Sequence, residues 1–472
     1  MADGTTGSAV PGVGGERTAR AAHGQELAWL TGRRFEGQLL QHVADTFRVG
    51  AATDEAQLRS AFGELALRHT ALRTSLRVVD GELWQVVHPR IGLPLEFTDL
   101  RGVDDGRRAE QLAGIAEQAA AQPFDPGRAP LWRAVAVRLG ETDWAVALVA
   151  HQLVCDPASL FLLNAELVEL CAASEQGRTP VLPELPRDPA GSADRRQDRS
   201  ATELRARNEE FWREQLAGLP PGHGIPLDRP RPAVRTFAGA EVRSELPPGL
   251  PAALRKGADR LDAAPAVVLL AAYAALLHGR SGRTDHGIGV PVSGRHRPET
   301  LALVGALAGT VVLRLDTSGD PDFAELVDRV RGVASAAWEH QGPSCPHAHQ
   351  LAFSLTEGPD PGPPCGFAEA DLLLEVAGRA ARLVYDSALF APVTARGLLG
   401  DYLALLAAAL AEPATPLSLL LSLLPGAAAT RPPRPAHDER TAGSPTAAPG
   451  PSEPEAPRGG RAAPSVLLRS TT

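Results

Sequence analysis

The 472-residue chain is short of the features that mark several protein classes. Its four cysteines, Cys155, Cys171, Cys345 and Cys365, form no CxxC pair. That excludes a disulfide framework and fits a reducing cytoplasm. The opening residues, MADGTTGSAVPGVGG, hold no apolar stretch, so no signal peptide is expected. The longest apolar run, Ala264–Gly279, falls short of the roughly 20 residues a membrane span needs. It suits a buried helix, and no membrane is expected as a partner. Excess positive charge is also missing. A formal net charge of −9 excludes nucleic acid as a main partner, because phosphate binding needs a basic surface. Lys256 is the single lysine, so arginine carries the rest of the basic charge. Gly-rich pieces such as GVGG sit in no strand–turn–helix setting, which excludes a phosphate loop. No short-period repeat marks a solenoid.

What is present is a globular composition, 44% hydrophobic and 22% charged, long enough for two domains. Residues 1–24 read as a loose tail. From 25 to 180, strands and helices alternate. DEAQLRSAFGELALRHT places Leu58, Phe62, Leu65 and Leu67 near helical spacing. ALRTSLRVVDGELWQVVH predicts two strands around a turn at Asp80–Gly81. LWRAVAVRLGETDWAVALVAHQLV predicts a hairpin whose second arm delivers His151. The Pro/Asp/Arg-rich stretch 181–201 reads as a linker. Residues 202–424 repeat the mixed theme, and 425–472 form a Pro/Ala-rich tail expected to be disordered.

One stretch combines a buried strand end with titratable groups: VAHQLVCDPASL, Val149–Leu160. His151 and Asp156 lie five apart. Two readings stay open. The pair belongs to an active site, or Asp156 and Pro157 are simply the N-cap and first residue of a helix carrying Leu160, Leu163, Leu167 and Leu170. His151 by itself is either a base or a core histidine. Cys155 is either a nucleophile or a small packed residue. CPHAHQ offers Cys345, His347 and His349 as a metal set. Three ligands with no second pair nearby make a poor site, and no metal is expected.

Four further segments carry a resemblance. They are RHTALRTSL (Arg68–Leu76), FDPGRAPLWRA (Phe124–Ala134), GRTDHGIGVPVSGR (Gly282–Arg295) and LVGALAGTVVLRLDTSGDPDFAELVDRVR. In this order, over roughly residues 25–424, the chain resembles the condensation domains of nonribosomal peptide synthetases. The resemblance implies an α+β fold of mixed sheets with flanking helices, as two chloramphenicol-acetyltransferase-like lobes in a V. It implies transfer of an acyl or aminoacyl group from a carrier-protein thioester to an amine or hydroxyl acceptor. Substrates would arrive on phosphopantetheine arms of peptidyl or acyl carrier proteins, with no bound cofactor. The chain would act as a monomer and in trans, since no adenylation or carrier segment is read on it.

The family's site motif is HHxxxDG, whose second histidine is credited with catalysis. Laid on this sequence, His151 and Asp156 match, Gln152 replaces the second histidine and Pro157 replaces the glycine. The family pairs this aspartate with the arginine here numbered Arg295. Pro157, Ser159 and Gly309 are expected along the substrate tunnel. Gly309 stands where the family has asparagine, and the stretch after His340–Gln341 is shorter than usual.

An imidazole can take a proton near neutral pH, whereas a carboxamide cannot and only donates and accepts hydrogen bonds. Losing general-base help costs about 10²–10⁴ in rate. Holding both reactants in attack geometry contributes roughly 7–11 kcal/mol, so the greater part of the rate enhancement survives Gln152. Pro157 removes an N–H and fixes φ. Three functions follow as expectations: an impaired condensation enzyme, a non-catalytic relative that binds carriers or recruits a tailoring enzyme, and a coenzyme-A-dependent acyltransferase of the same superfamily.

Overall fold

A computed structural model describes residues 15–22, 24–26, 28–29, 42–50, 53–185, 199–341, 349–356, 368–424 and 467–470. The first half begins with β1 (Arg17–Arg20) and β2 (His42–Val49). Next come α1 (Glu55–Arg68), β3 (Thr74–Val79), β4 (Glu82–Val87) and β5 (Leu95–Asp99). It ends with α2 (Asp105–Ala121), β6 (Trp132–Arg138), β7 (Trp144–His151) and α3 (Pro157–Gln176). The second half holds α4 (Arg199–Gln215), β8 (Gly239–Glu245), α5 (Leu250–Arg260), α6 (Pro265–Ser281), β9 (Asp285–Val292) and β10 (Gly309–Asp316). It continues through α7 (Phe323–Glu339), β11 (Leu351–Thr356), β12 (Leu372–Ala377), β13 (Ala380–Asp386), α8 (Pro392–Ala411) and α9 (Leu417–Ser422). A last short strand, β14, covers Leu467–Ser470.

The main sheet of the first half runs β14-β2-β7-β6-β5, and β1-β4-β3 form a small second sheet. The run WAVALVAH makes β7 a central strand buried along its whole length. Its large residues Trp144, Val146 and Leu148 pack toward α1 and α3. Its small residues Ala145 and Ala147, with Val149, pack toward α2. The alternation of large and small thus sets which helices lie on which face. Asp80 and Gly81 both take positive φ, 52° and 80°, as a two-residue hairpin turn requires. Helix α1 starts at an Asp54–Gln57 capping box. It buries Leu58, Phe62 and Leu65, whereas Leu67 faces solvent.

The second half is a six-stranded mixed sheet, β10-β9-β11-β12-β13-β8. Helix α6, apolar on every side, is buried from Val268 through Leu277 and packs against α7 and α8. Among the described residues two helices, α3 and α8, are apolar and long enough to cross a membrane by length and composition alone. Both are packed within the fold, and α8 sets Asp401 against Arg280.

Three expectations need correction. Residues 17–20, expected in the loose N-terminal tail, form β1 and pair with Trp84–Val87 of β4. The stretch 181–201 is not wholly a linker: Leu182 packs on the first core, the Pro183 carbonyl accepts from Arg68, and α4 already begins at Arg199. Residues 186–198 of it lie outside the described residues. In the tail expected to be disordered, Leu467–Ser470 lies parallel to β2, and the rest lies outside the described residues. Strands β5, β11 and β12 and helices α5 and α9 were not expected from the sequence.

The RHTALRTSL segment has a buried electrostatic role. Glu166 of α3 accepts from Arg68 Nε at 2.9 Å and from His69 Nε2 at 2.7 Å. Burial pushes its carboxyl up, but the hydrogen bonds and charges of His69 and Arg68 outweigh that and hold it below the ordinary carboxylate value. Replacing Glu166 with alanine takes away the carboxylate that Arg68 and His69 share and leaves Arg68 the Pro183 carbonyl. We expect a loss of about 3–5 kcal/mol in urea unfolding at pH 7. The difference from wild type should shrink as the pH falls below the ordinary glutamate value of 4.5 and the wild-type carboxylate is protonated.

Candidate active site at the joint between the halves

The loop after β7 is organised by the last residue of that strand. His151 is buried and its ring accepts the Leu153 N–H on Nδ1 at 3.1 Å. Its carbonyl accepts the N–H groups of Val154 and Cys155 at 3.0 and 3.1 Å. The ring lies across the ladder from His42, with centroids 5.9 Å apart. Burial, and then the neighbouring His42, push the His151 pKa down to about 3. His42 is itself lowered by burial and bonds the Ala120 carbonyl through Nδ1 at 2.9 Å. His151 is therefore a neutral structural histidine that shapes the turn. From His151 to Asp156, Gln152 is the one side chain that is not buried.

Asp156 is both the N-cap of α3 and the partner of Arg295. Its Oδ1 caps α3, accepting from the Ser159 N–H and hydroxyl, both at 2.8 Å. Its Oδ2 accepts from Arg295 Nη1 at 2.8 Å and from the N–H groups of Leu307 and Ala308 at 3.0 and 2.9 Å. Arg295 is equally engaged: Nε and Nη2 donate to the Leu303 carbonyl, Nη1 to the Ser293 carbonyl, and Nη2 to Ser159 Oγ at 2.7 Å. The pair is 6% exposed on both sides, and every charged atom meets a partner.

Ser159, expected along the substrate tunnel, is bonded into the joint by Arg295 Nη2. It is fully buried, and its hydroxyl also meets Gly305 N and O at 3.0 Å. It is a hub of the joint because α3's first turn carries it under Arg295. Pro157 and Gly309 are half-buried, and a Cβ on Gly309 would meet no atom within 4 Å. The joint also needs Gly294, whose φ is +67° and where a side chain would collide with the Leu307 carbonyl. Val304, from the same loop of the second half, packs into the core of the first.

Cys155 is fully buried, and burial, with Asp156 beside it, raises its pKa, so it is no nucleophile. Among the described residues no group of three His, Cys, Asp or Glu side chains is placed to hold a metal. Cys345 and His347 lie outside the described residues, and the His349 ring lies against Gly289. Sequence reasoning missed Gln25. Its amide donates to the Leu153 carbonyl at 3.0 Å across 128 residues, and nothing local marks such a contact.

Comparison with known proteins identifies the family of this chain. A family model described as Condensation domain matches residues 16–345. Phosphinothricin tripeptide synthetase PhsC of Streptomyces viridochromogenes is 35% identical over 317 residues, 67% of this chain and 29% of that protein. Phosphinothricin tripeptide synthetase PhsB of the same organism is 34% identical over 325 residues, 69% of this chain and 27% of that one. The chain thus spans under a third of these relatives. Among solved structures, SgcC5 from Streptomyces globisporus matches with a TM-score of 0.69 at 25% identity, covering 84% of this chain and 100% of that one. The X-domain in complex with OxyB from teicoplanin biosynthesis matches with a TM-score of 0.69 at 24% identity, covering 89% and 99%.

Two outcomes are expected of the joint. Arg295→Ala strands the buried Asp156 carboxylate and should cost about 3–5 kcal/mol, read from urea unfolding. His151 makes stability fall on acidification. Above pH 6.5 folded and unfolded forms are both neutral; below it the unfolded chain takes a proton that the folded site refuses until about pH 3. Each pH unit in that window removes about 1.4 kcal/mol, so going to about pH 5 costs about 2 kcal/mol. A His151→Phe variant should lose that part of the slope.

Proposed function

The chain belongs to the condensation-domain family, and from that premise we propose that it joins an acyl or aminoacyl thioester on one carrier protein to an amine or hydroxyl acceptor, slowly, for want of a base at Gln152. The observation that carries this reading is the joint itself. A fully partnered Asp156–Ser159–Arg295 network holds the two halves in register beside Gln152. An architecture that sets the halves in register favours a site whose rate comes from holding two tethered reactants together.

In the proposed reaction the acceptor nitrogen or oxygen attacks the thioester carbonyl carbon. The C–S bond breaks, and the departing sulfur leaves as the thiol of the phosphopantetheine arm. Gln152 Oε1 accepts a hydrogen bond from the acceptor's N–H or O–H and orients its lone pair, while Nε2 donates toward the carbonyl oxygen as it gains charge. With no side-chain base, the acceptor's proton passes to solvent or directly to the leaving thiolate. Pro157 contributes no N–H to that oxygen. Hydroxyl acceptors belong in the test, since SgcC5 was solved with (R)-(-)-1-(2-naphthyl)-1,2-ethanediol.

A second reading is favoured by one observation: Gln152 has no imidazole and His151 is buried and neutral. On that reading the chain is a non-catalytic relative that binds loaded carriers or recruits a tailoring enzyme, much as the X-domain was solved with OxyB.

The two readings separate in one experiment. The protein is incubated with a donor carrier and an acceptor carrier, each loaded, and product is followed by mass spectrometry. The first reading expects product above the protein-free rate, and Gln152→His raising it by about 10²–10⁴. No product from either form, with carrier binding retained, supports the second reading and sinks the first.

A further inference from the structure

We propose that Gln25 is the positioning residue for the loop that presents Gln152, and that Gly24 and Gln25 together staple that loop to its counterpart in the second half. The proposal rests on the reading that Gln152 faces the reactants.

Gln25 is fixed from both sides. Before it, β1 leads to Ala21, which is fully buried and donates its N–H to the Leu83 carbonyl at 2.9 Å. After it, Glu26 N–H closes a helical turn on Ala22, and Ala28 and Trp29 pack on the first core. Gln25 itself is 6% exposed. Its Oε1 accepts the Ala22 N–H at 2.8 Å. An amide nitrogen cannot accept that bond, so Nε2 is left as the donor, and it reaches the Leu153 carbonyl at 3.0 Å.

The consequence lies in what surrounds Gln152. The peptide group before Leu153 is held by His151 Nδ1 through the Leu153 N–H. The one after it is held by Gln25 at the carbonyl and by the His151 carbonyl at the Val154 N–H. Both peptide planes C-terminal to Gln152 are thereby fixed, and Gln25 is the anchor that lies outside the loop. On its other side Gly24 touches the Ala306 carbonyl so closely that a Cβ would overlap it. Ala306 sits between Gly305, bonded to Ser159, and Leu307, bonded to Asp156. Residues 24–25 therefore contact the site loop and the loop that carries its counter-charges.

The test is a double-mutant cycle on binding of a carrier whose arm bears a non-hydrolysable amide analogue of the thioester, with hydrogen exchange beside it. Gln25→Met keeps the volume and removes both hydrogen bonds. Gln25→Glu keeps the acceptor for Ala22 and removes the donor to Leu153. Each should weaken binding at least 5-fold in the wild type and have no effect in Gln152→Ala, because Gln25 acts through Gln152. Equal loss in both backgrounds, or none in either, overturns the proposal. Independently, amides of residues 152–156 should exchange at least tenfold faster in Gln25→Met while those of β7 keep their rate; unchanged exchange also overturns it. If no form binds the loaded carrier, the functional reading fails, and the exchange experiment still decides whether Gln25 holds the loop.

Discussion

A single carboxylate organises this molecule. Asp156 receives five donors: two from the first turn of α3, and three from Arg295, Leu307 and Ala308 in the second half. Burying a carboxylate is unfavourable unless its lone pairs and its charge are both met. Here one oxygen is satisfied locally and the other across the joint, so starting a helix and aligning two halves become the same event. Gly294, Ser159 and Val304 are arranged around that event. Gly294 lets the loop backbone approach, Ser159 commits its hydroxyl there, and Val304 seals the apolar side.

The division of labour within HQLVCD follows from this. His151 does its work inward, holding the turn through Nδ1 and its carbonyl. Gln152 alone in this stretch is only partly buried. A loop so closely tied has little freedom to recruit a substitute base from within itself: Cys155 is sealed in, and Asp156 is saturated with donors.

Much of this was legible in the sequence. The apolar run of β7, the Asp80–Gly81 turn, the α3 stripe and the pairing of Asp156 with Arg295 all follow from pattern or from family resemblance, because each is set by local periodicity or by strongly typed side chains. The rest was hidden for physical reasons. β1 is RTAR, a polar edge strand with no alternation to read. The partners of Ser159 were hidden because nothing local reveals that a serine meets the backbone of Gly305 and the guanidinium of Arg295. Gln25 owes its place to a backbone carbonyl far along the chain, and carbonyls leave no mark on sequence.

Val304 bears on how such a chain can be recombined with its relatives. The stretch 186–198 offers itself as a seam, yet a cut there leaves the plug of the first core attached to the second half. A chimaera spliced at that seam inherits a foreign plug, a foreign cation for Asp156 and a foreign carbonyl against Gly24. The unit that transplants intact is residues 15–185 together with the loop from Ser293 to Ala308, a discontinuous module whose borders no linker announces.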